Sequence, residues 1–318
     1  MSSSASSDNL RPDRLERVDR HTLLREVTIK PGMCGHNALL VGQIGDWTWE
    51  TVSQVCGVNA FRAVDGAGKP TYLSFYFYQI LGDREFHLRT PTFGDHLQVV
   101  STCYGFGSES IVTLHRLASI DRGLPPKLSA EELLTARYPG CLYVQSVNRW
   151  IQRGSNGNRE LYTAVPLGFR LARLETLPPA LAPRLAYDTA RRQGAFAPEA
   201  GFRGAGEWAM PYEVDAARDL NGVGLLCFAT YFSITDSVLG KVWQLLGRSA
   251  RSFLDRVVVD TRLCFLGNAE PGTSLTVRMR RSIGDPWDAR ERFDAQIIEE
   301  DSQRMLAVAA LSCEGREP

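Results

Sequence analysis

The 318-residue sequence carries no net charge. Its 36 basic side chains balance 36 acidic ones, which argues against a nucleic-acid binder held by bulk electrostatics and confines any phosphate or acidic-protein contact to a local patch. Histidine is scarce, with five in all and none beyond His115. The seven cysteines (Cys34, Cys56, Cys103, Cys141, Cys227, Cys264 and Cys313) show no Cys-x-x-Cys spacing and an odd total, so neither a zinc site nor a disulfide framework is expected, and the thiols read as reduced and mostly buried. No apolar run reaches membrane-spanning length, and the opening Met-Ser-Ser-Ser-Ala-Ser-Ser-Asp lacks the apolar core of a signal peptide, so a soluble, cytoplasmic protein without a membrane partner is expected. Also missing are a Gly-x-Ser-x-Gly nucleophile elbow, a Walker lysine loop and a dinucleotide glycine pattern, which removes several common enzyme classes.

What is present has the grammar of a duplication. The length suits two units of about 150 residues. Residues 1–20, rich in Ser, Asp and Arg, read as a flexible arm, 21–165 as a first unit, 166–205 as a Pro/Ala/Leu/Arg connector and 206–318 as a second unit. In the first unit a strand over 25–30 precedes a glycine-punctuated loop. An apolar helix then starts at Asp46, which is placed to cap it, and stops at Gly57. Strands follow over 72–81, 92–100 and 111–117, then a short helix near 130–136 and two strands around the Gly154–Gly157 turn. The second unit repeats this order: loop 219–231, helix 232–246, strand 257–265, then strands at 271–277, 292–298 and 305–311. Pro271-Gly-Thr-Ser-Leu-Thr-Val277 aligns with Phe93-Gly-Asp-His-Leu-Gln-Val99, glycine on glycine, leucine on leucine and valine on valine. Periodicity supports an α+β duplicated domain.

Chemistry concentrates between His36 and Glu50, where Gly45 follows the histidine by nine positions and Glu50 by fourteen. Glu50 lies among Trp47, Trp49 and Val52, so it is expected to be buried with a raised pKa and able to act as acid, base or hydrogen-bond donor. Gly42, Gly45 and the helix start are expected to aim N–H groups at a thioester oxyanion. The plain alternative for His36 is a structural hydrogen-bonder. The His36/Gly45/Glu50 spacing resembles the active-site segment of hot-dog-fold acyl-carrier-protein dehydratases. Asp219, Gly222, Tyr231 and Asp236 resemble the loop-to-helix passage of hot-dog thioesterases, with two residues inserted. Thr230, Tyr231, Ser233 and Asp236 form a polar set that reads equally as caps and turn bonds. Arg248, Arg251, Arg256, Arg278, Arg280 and Arg281 make the second half locally basic, either a solvated face or a seat for coenzyme A phosphates or an acidic carrier.

Taken together, Pro31-Gly-Met-Cys-Gly-His-Asn37, Gly42-Gln-Ile-Gly-Asp-Trp-Thr-Trp-Glu-Thr-Val-Ser53 and Thr71-Tyr-Leu-Ser-Phe-Tyr76 resemble the bifunctional acyltransferase/decarboxylases of leinamycin-type polyketide pathways. The resemblance implies a double hot-dog fold, two tandem units each with a central helix wrapped by a curved antiparallel sheet. It implies decarboxylation of methylmalonyl-coenzyme A and delivery of propionyl to the phosphopantetheine of an acyl carrier protein, with neither cofactor nor metal of the protein's own. The family's acyl-accepting tyrosine falls at Phe61, which keeps the shape and deletes the oxygen. Either this chain is a Tyr-to-Phe variant, or Tyr72, Tyr76 or Tyr78 takes the role. His36, Gly45, Glu50 and position 61 are then the catalytic candidates. Asn37, Gln43, Asp46, Trp47, Arg62, Thr230, Tyr231, Ser233 and Asp236 are the substrate-binding ones. A hot-dog dehydratase, a thioesterase or a silent thioester-binding module are the alternatives, and a monomer and a homodimer are both compatible.

Overall fold

The structure, a computed structural model, describes residues 12–314 apart from 108 and 286–289. In chain order it contains β1 (Arg14–Arg17), β2 (Thr22–Thr28), α1 (Asn37–Cys56), β3 (Tyr72–Leu81), β4 (His96–Phe106), β5 (Ser110–Ser119), α2 (Ala130–Thr135), β6 (Leu142–Gly154), β7 (Gly157–Thr163), α3 (Arg184–Gln193), β8 (Arg203–Glu213), α4 (Phe228–Leu245), α5 (Ala250–Leu254), β9 (Val257–Phe265), β10 (Ser274–Ile283), β11 (Glu291–Glu299) and β12 (Met305–Glu314). One antiparallel sheet runs β1-β2-β4-β5-β6-β3-β9-β12-β11-β10-β8, with β7 added to β6.

The order doubles about its centre. Outward from the β3–β9 seam, β3-β6-β5-β4-β2 on one side matches β9-β12-β11-β10-β8 on the other, and each half places its long helix between the first two of its strands in sequence. The aligned heptapeptides fall at matching places: Gly94 and Gly272 both have left-handed backbones (φ 93° and 74°), and donate to Ile29 and Val214 just past β2 and β8. This is the α+β double hot dog that the resemblance implied. Each unit cannot bury its curved face alone, and the continuous sheet with α1 and α4 side by side closes one common core.

Several expectations change. α1 begins at Asn37, nine residues before Asp46, with His36 as its extended N-cap residue and Gly57 (φ 69°) as its left-handed end. The buried positions Leu40, Val41, Ile44, Trp47, Thr48, Thr51, Val52 and Val55 keep helical spacing straight through Gly42 and Gly45, so the glycines do not break it. Likewise α4 starts at Phe228 rather than Phe232. Of the segment 1–20 expected as an arm, residues 1–11 lie outside the described residues, and β1 pairs with β2 in the remainder. Within 166–205 the chain forms α3, which packs on β9, and enters β8, an edge strand that hides among glycines. In β3 a bulge between Phe75 and Phe77 returns Phe75 and Tyr78 to the helix side, while Phe77 faces the opposite side with Phe196.

Candidate functional site

α1 and α4 pack antiparallel, and their closest approach is made by a missing side chain. A Cβ on Gly45 would lie 2.2 Å from Cζ of Phe228, so only glycine admits that ring. Phe228 stacks on Phe75 at 4.1 Å and lies 6.0 Å from Tyr78. Beside this contact a cavity of about 420 Å³ opens between the two units. One wall comes from α1 and the turn after it (Gly45, Asp46, Trp49, Phe61), one from β3 (Tyr72 to Tyr76), one from the loop before α4 and its first residues (Asn221 to Phe228), and one from Asn158, Arg159, Asn268 and Arg304.

Among the candidates named from sequence, Gly45, Asp46, Phe61 and Tyr231 meet at this cavity. Phe61 is 54% exposed and packs against Trp49 at 5.6 Å, so its ring faces whatever enters. Asp46 lines the cavity and is exposed there. Lost hydration, with Glu50 one turn further along α1, raises its carboxyl above the usual 3.8, and it makes no hydrogen bond among the described residues. Tyr231 is buried and donates to the Gly267 carbonyl at 2.6 Å, while Thr230 donates to the Asp219 carbonyl at 3.0 Å. Asp219 itself is held by Arg218, Tyr212 and the Asp215 N–H; burial raises its carboxyl, and these partners together bring it below the usual value. Ser233 is half-buried further along α4.

Other candidates lie elsewhere. His36 and Glu50 are separated by fourteen residues of one helix, about 21 Å along its axis, so their spacing forms no dyad. Glu50 is not buried: its side chain is 43% exposed and bound by Arg25 at 2.7 Å, and that arginine lies over the buried Trp47. Gly45, eight residues into α1, offers no free helix-start N–H, since those groups belong to the first turn. Gln43 is half-buried on α1 and Arg62 exposed after it, both outside the cavity. Asn37 and Asp236 meet at the far end of the helix pair, where Asn37 Nδ2 donates to Asp236 at 2.8 Å and Arg256 donates to the same carboxylate at 2.6 Å. Of the other tyrosines, Tyr72 and Tyr76 wall the cavity, whereas Tyr78 is sealed behind Phe228 and burial pushes its phenol far up. His115 is a core residue between Ser101 (2.8 Å) and Thr48 (2.9 Å), and burial pushes it down to about 3.

Sequence reading missed Cys227, Phe228, Arg159 and Arg304. Cys227 is the N-cap residue of α4, and burial raises its thiol despite the Ala229 and Thr230 N–H groups beside it. Of the N–H groups that open α4, those of Ala229 and Thr230 are turned to Cys227, the latter also donating to its carbonyl at 3.0 Å, which leaves the Phe228 N–H at the cavity wall as the donor a developing oxyanion would find. Arg159 and Arg304 both pair with the buried Glu299, at 2.7 and 3.2 Å, and stand at the opposite wall. No cluster of three or more His, Cys, Asp or Glu suited to a metal occurs among the described residues, and no helix among them is long and apolar enough to cross a membrane.

Comparison with known proteins agrees with this architecture. The family model of the LnmK N-terminal Hot Dog Fold domain matches residues 24–198, more than half of the chain. No curated protein sequence matches. Among solved structures, a protein assigned as an oleoyl thioesterase from Lactobacillus plantarum superposes with a TM-score of 0.58 at 11% identity, covering 94% of this chain and 97% of that one. An acyl-ACP thioesterase from Bacteroides thetaiotaomicron gives 0.54 at 10% identity over 92% and 98%. The 12:0-ACP thioesterase from Umbellularia californica gives 0.53 at 12% identity over 93% and 94%. At these identities the likeness is one of fold.

Proposed function

The chain belongs to the family of the LnmK N-terminal hot dog fold domain, and from that premise we propose that it acts on acyl thioesters. In this reading it decarboxylates methylmalonyl-coenzyme A in the cavity beside Asp46 and serves transfer of propionyl to the phosphopantetheine of an acyl carrier protein. The observation that carries this reading is the juxtaposition, around one cavity, of a carboxyl without a hydrogen-bond partner among the described residues and the apolar rings of Trp49, Phe61 and Phe228.

Loss of carbon dioxide breaks the bond between the substrate carboxylate and C2, and leaves its electron pair in the thioester enolate. The aromatic wall strips water from the carboxylate and favours its departure as a neutral molecule. The enolate oxygen meets the Phe228 N–H at the start of α4. Asp46 delivers a proton to C2, giving the propionyl thioester, and is reprotonated from the open mouth. Its raised pKa suits it to carry that proton, and a substrate carboxylate nearby raises it further. Transfer then exchanges one thiol for another at the carbonyl. With phenylalanine at 61 no phenolic oxygen stands there to hold the acyl group, so transfer through residue 61 is the step this chain lacks. A thioesterase is the second reading, because the same carboxyl, when ionised, is placed to activate water.

The test is methylmalonyl-coenzyme A with a phosphopantetheinyl carrier protein, comparing the chain with Phe61→Tyr and following propionyl-coenzyme A, propionyl-carrier, free acid and acyl-enzyme by mass. Both forms are expected to release propionyl-coenzyme A, and the tyrosine form alone to gain an acyl-enzyme and fast transfer. Equal transfer by both moves the nucleophile away from 61. Free acid as the main product favours the thioesterase. If neither form consumes the substrate, the decarboxylase reading falls.

A further inference from the structure

One wall of the cavity takes no part in the loss of carbon dioxide, and we propose that Arg159 and Arg304 form there a seat for the phosphate that ends the pantetheine arm, a group shared by coenzyme A and a carrier-bound phosphopantetheine. The inference rests on the acyl-thioester reading and adds to it an anion subsite and the residues that make it. Arg159, from the first unit, and Arg304, from the second, are the only cations among the described residues that line the cavity. Both pair with Glu299, at 2.7 and 3.2 Å; its side chain is 1% exposed, while theirs are 50% and 31% exposed. Glu299 does not line the cavity, and neither does Glu270, whose carboxylate accepts the Asn158 N–H. The face that this wall turns to the cavity is therefore positive.

The neighbouring asparagines spend their amides on the backbone. Asn158 Nδ2 donates to the Gly224 and Ala269 carbonyls, both at 2.8 Å; Asn268 Nδ2 donates to the Leu226 carbonyl at 3.0 Å, and its Oδ1 accepts the Leu226 N–H at 2.9 Å. The guanidiniums keep donors. Arg304 donates through Nε to Glu299 and through Nη2 to the Asn268 carbonyl at 2.7 Å, which orients its plane and leaves Nη1 without a partner among the described residues. Arg159 meets Glu299 through Nη2 alone, so its Nε and Nη1 have none there either. A guanidinium already oriented by a buried carboxylate loses little freedom on binding, and its planar fork matches the oxygens of a phosphate. The substrate carboxylate does not suit this seat: it has to leave as a neutral molecule, and paired guanidiniums would stabilise its charge in the ground state and slow that departure.

The experiment is calorimetric titration with three thioethers that can be neither hydrolysed nor decarboxylated: S-propyl-pantetheine, which lacks the phosphate, S-propyl-phosphopantetheine, which ends in it, and S-propyl-coenzyme A. None carries a carboxylate, so the series isolates the phosphate. The wild-type chain is expected to bind S-propyl-phosphopantetheine about 10-fold or more tightly than S-propyl-pantetheine. Arg159→Gln is expected to remove most of that gain, for the phosphopantetheine and coenzyme A probes alike, with no change for the pantetheine probe. Arg159→Lys should retain part of it, and Arg304→Gln should act in the same direction as Arg159→Gln; near-ultraviolet circular dichroism checks that the variants remain folded. Equal wild-type affinity for the first two probes overturns the proposal without any variant. So does a folded Arg159→Gln that keeps the phosphate gain, that weakens all three probes alike, as a structural role would, or that weakens S-propyl-coenzyme A alone, which moves the seat to the nucleotide phosphates. In each of these cases the acyl-thioester reading stands. If none of the three probes binds the wild-type chain, that reading falls and the proposal with it.

Discussion

At one end of the α1–α4 pair, the first residue of α4 meets the ninth of α1; at the other, the first residue of α1 meets the ninth of α4. The two contacts are Phe228 on Gly45 and Asn37 on Asp236. The backbone frame is the same and the outcomes are opposite. Ring on glycine leaves a cavity of about 420 Å³ beside it, whereas amide on carboxylate, tied down by the buried Arg256, leaves a void of about 10 Å³, scarcely room for one water. A duplicated fold thus offers two equivalent mouths, and side chains at two matched positions decide which one stays open. The sealed end is also the one with its charge compensated. Asp236 has a guanidinium partner, while the charge acting on Asp46 is that of another carboxylate, Glu50.

The largest effect is expected from breaking the seal. In Asp236→Ala, Arg256, whose side chain is 1% exposed, is left without its counter-ion and Asn37 without its acceptor, and a loss of about 3–5 kcal/mol in urea unfolding is expected. Replacing the pair together, Asp236→Leu with Arg256→Met, should restore most of that stability or exceed it, because the desolvation of both charges is removed. Neither change should alter binding of S-propyl-coenzyme A to folded protein. If a folded Asp236 variant loses that binding, the two ends are one site and the comparison fails.

The next effect tests why the open end carries a glycine. Gly45→Ala should destabilise through overpacking against Phe228, about 1–3 kcal/mol, partly offset by the helix preference for alanine, about 1 kcal/mol. In a Phe228→Ala background the clash is gone and the preference remains, so the same substitution should stabilise. Thermal and urea unfolding of the four proteins gives the coupling directly; additivity within about 0.5 kcal/mol would remove Phe228 as the reason for the glycine.

Elements whose signal is local were readable in the chain. β3 and β9 fall at Tyr72–Leu81 and Val257–Phe265 as expected, because aromatic and β-branched runs state a strand wherever they occur, and the Gly94/Gly272 alignment found the duplication. Elements whose reason is distant were not. Gly42 and Gly45 look like loop residues until Ala229 and Phe228 are placed against them. The start of α4 was hidden because cysteine is an uncommon cap, and β8 because its glycines and proline mask the alternation of an edge strand. The spacing of His36 and Glu50 matched a motif by number alone, and the early helix start sends the two residues to separate places. Phe61, Gly45 and Asp46 were legible because they sit on one helix and the turn after it. Arg159 and Arg304 come from opposite units, and no spacing within one sequence joins them.

The smallest effect concerns Asp46 and depends on pH. Its carboxyl is raised above 3.8 in the folded chain, so the folded state holds that proton more tightly than the unfolded one. Below about pH 3.8 both states are protonated and the favourable contribution is complete. As pH rises past that value the unfolded chain ionises first, and stability declines until the folded carboxyl has ionised too. Asp46→Asn keeps the shape and removes the ionisation. The asparagine form should therefore melt with wild type at pH 3 and above it at pH 7, with the gap opening across the interval and then levelling. The sealed end supplies the control, since restoring neutrality there by Asp236→Asn leaves Arg256 uncompensated and should lower the melting temperature at pH 7. A gap at Asp46 that does not vary with pH would mean that this carboxyl is hydrated like one on the open surface, and its fitness to hold a proton for the enolate would go with it.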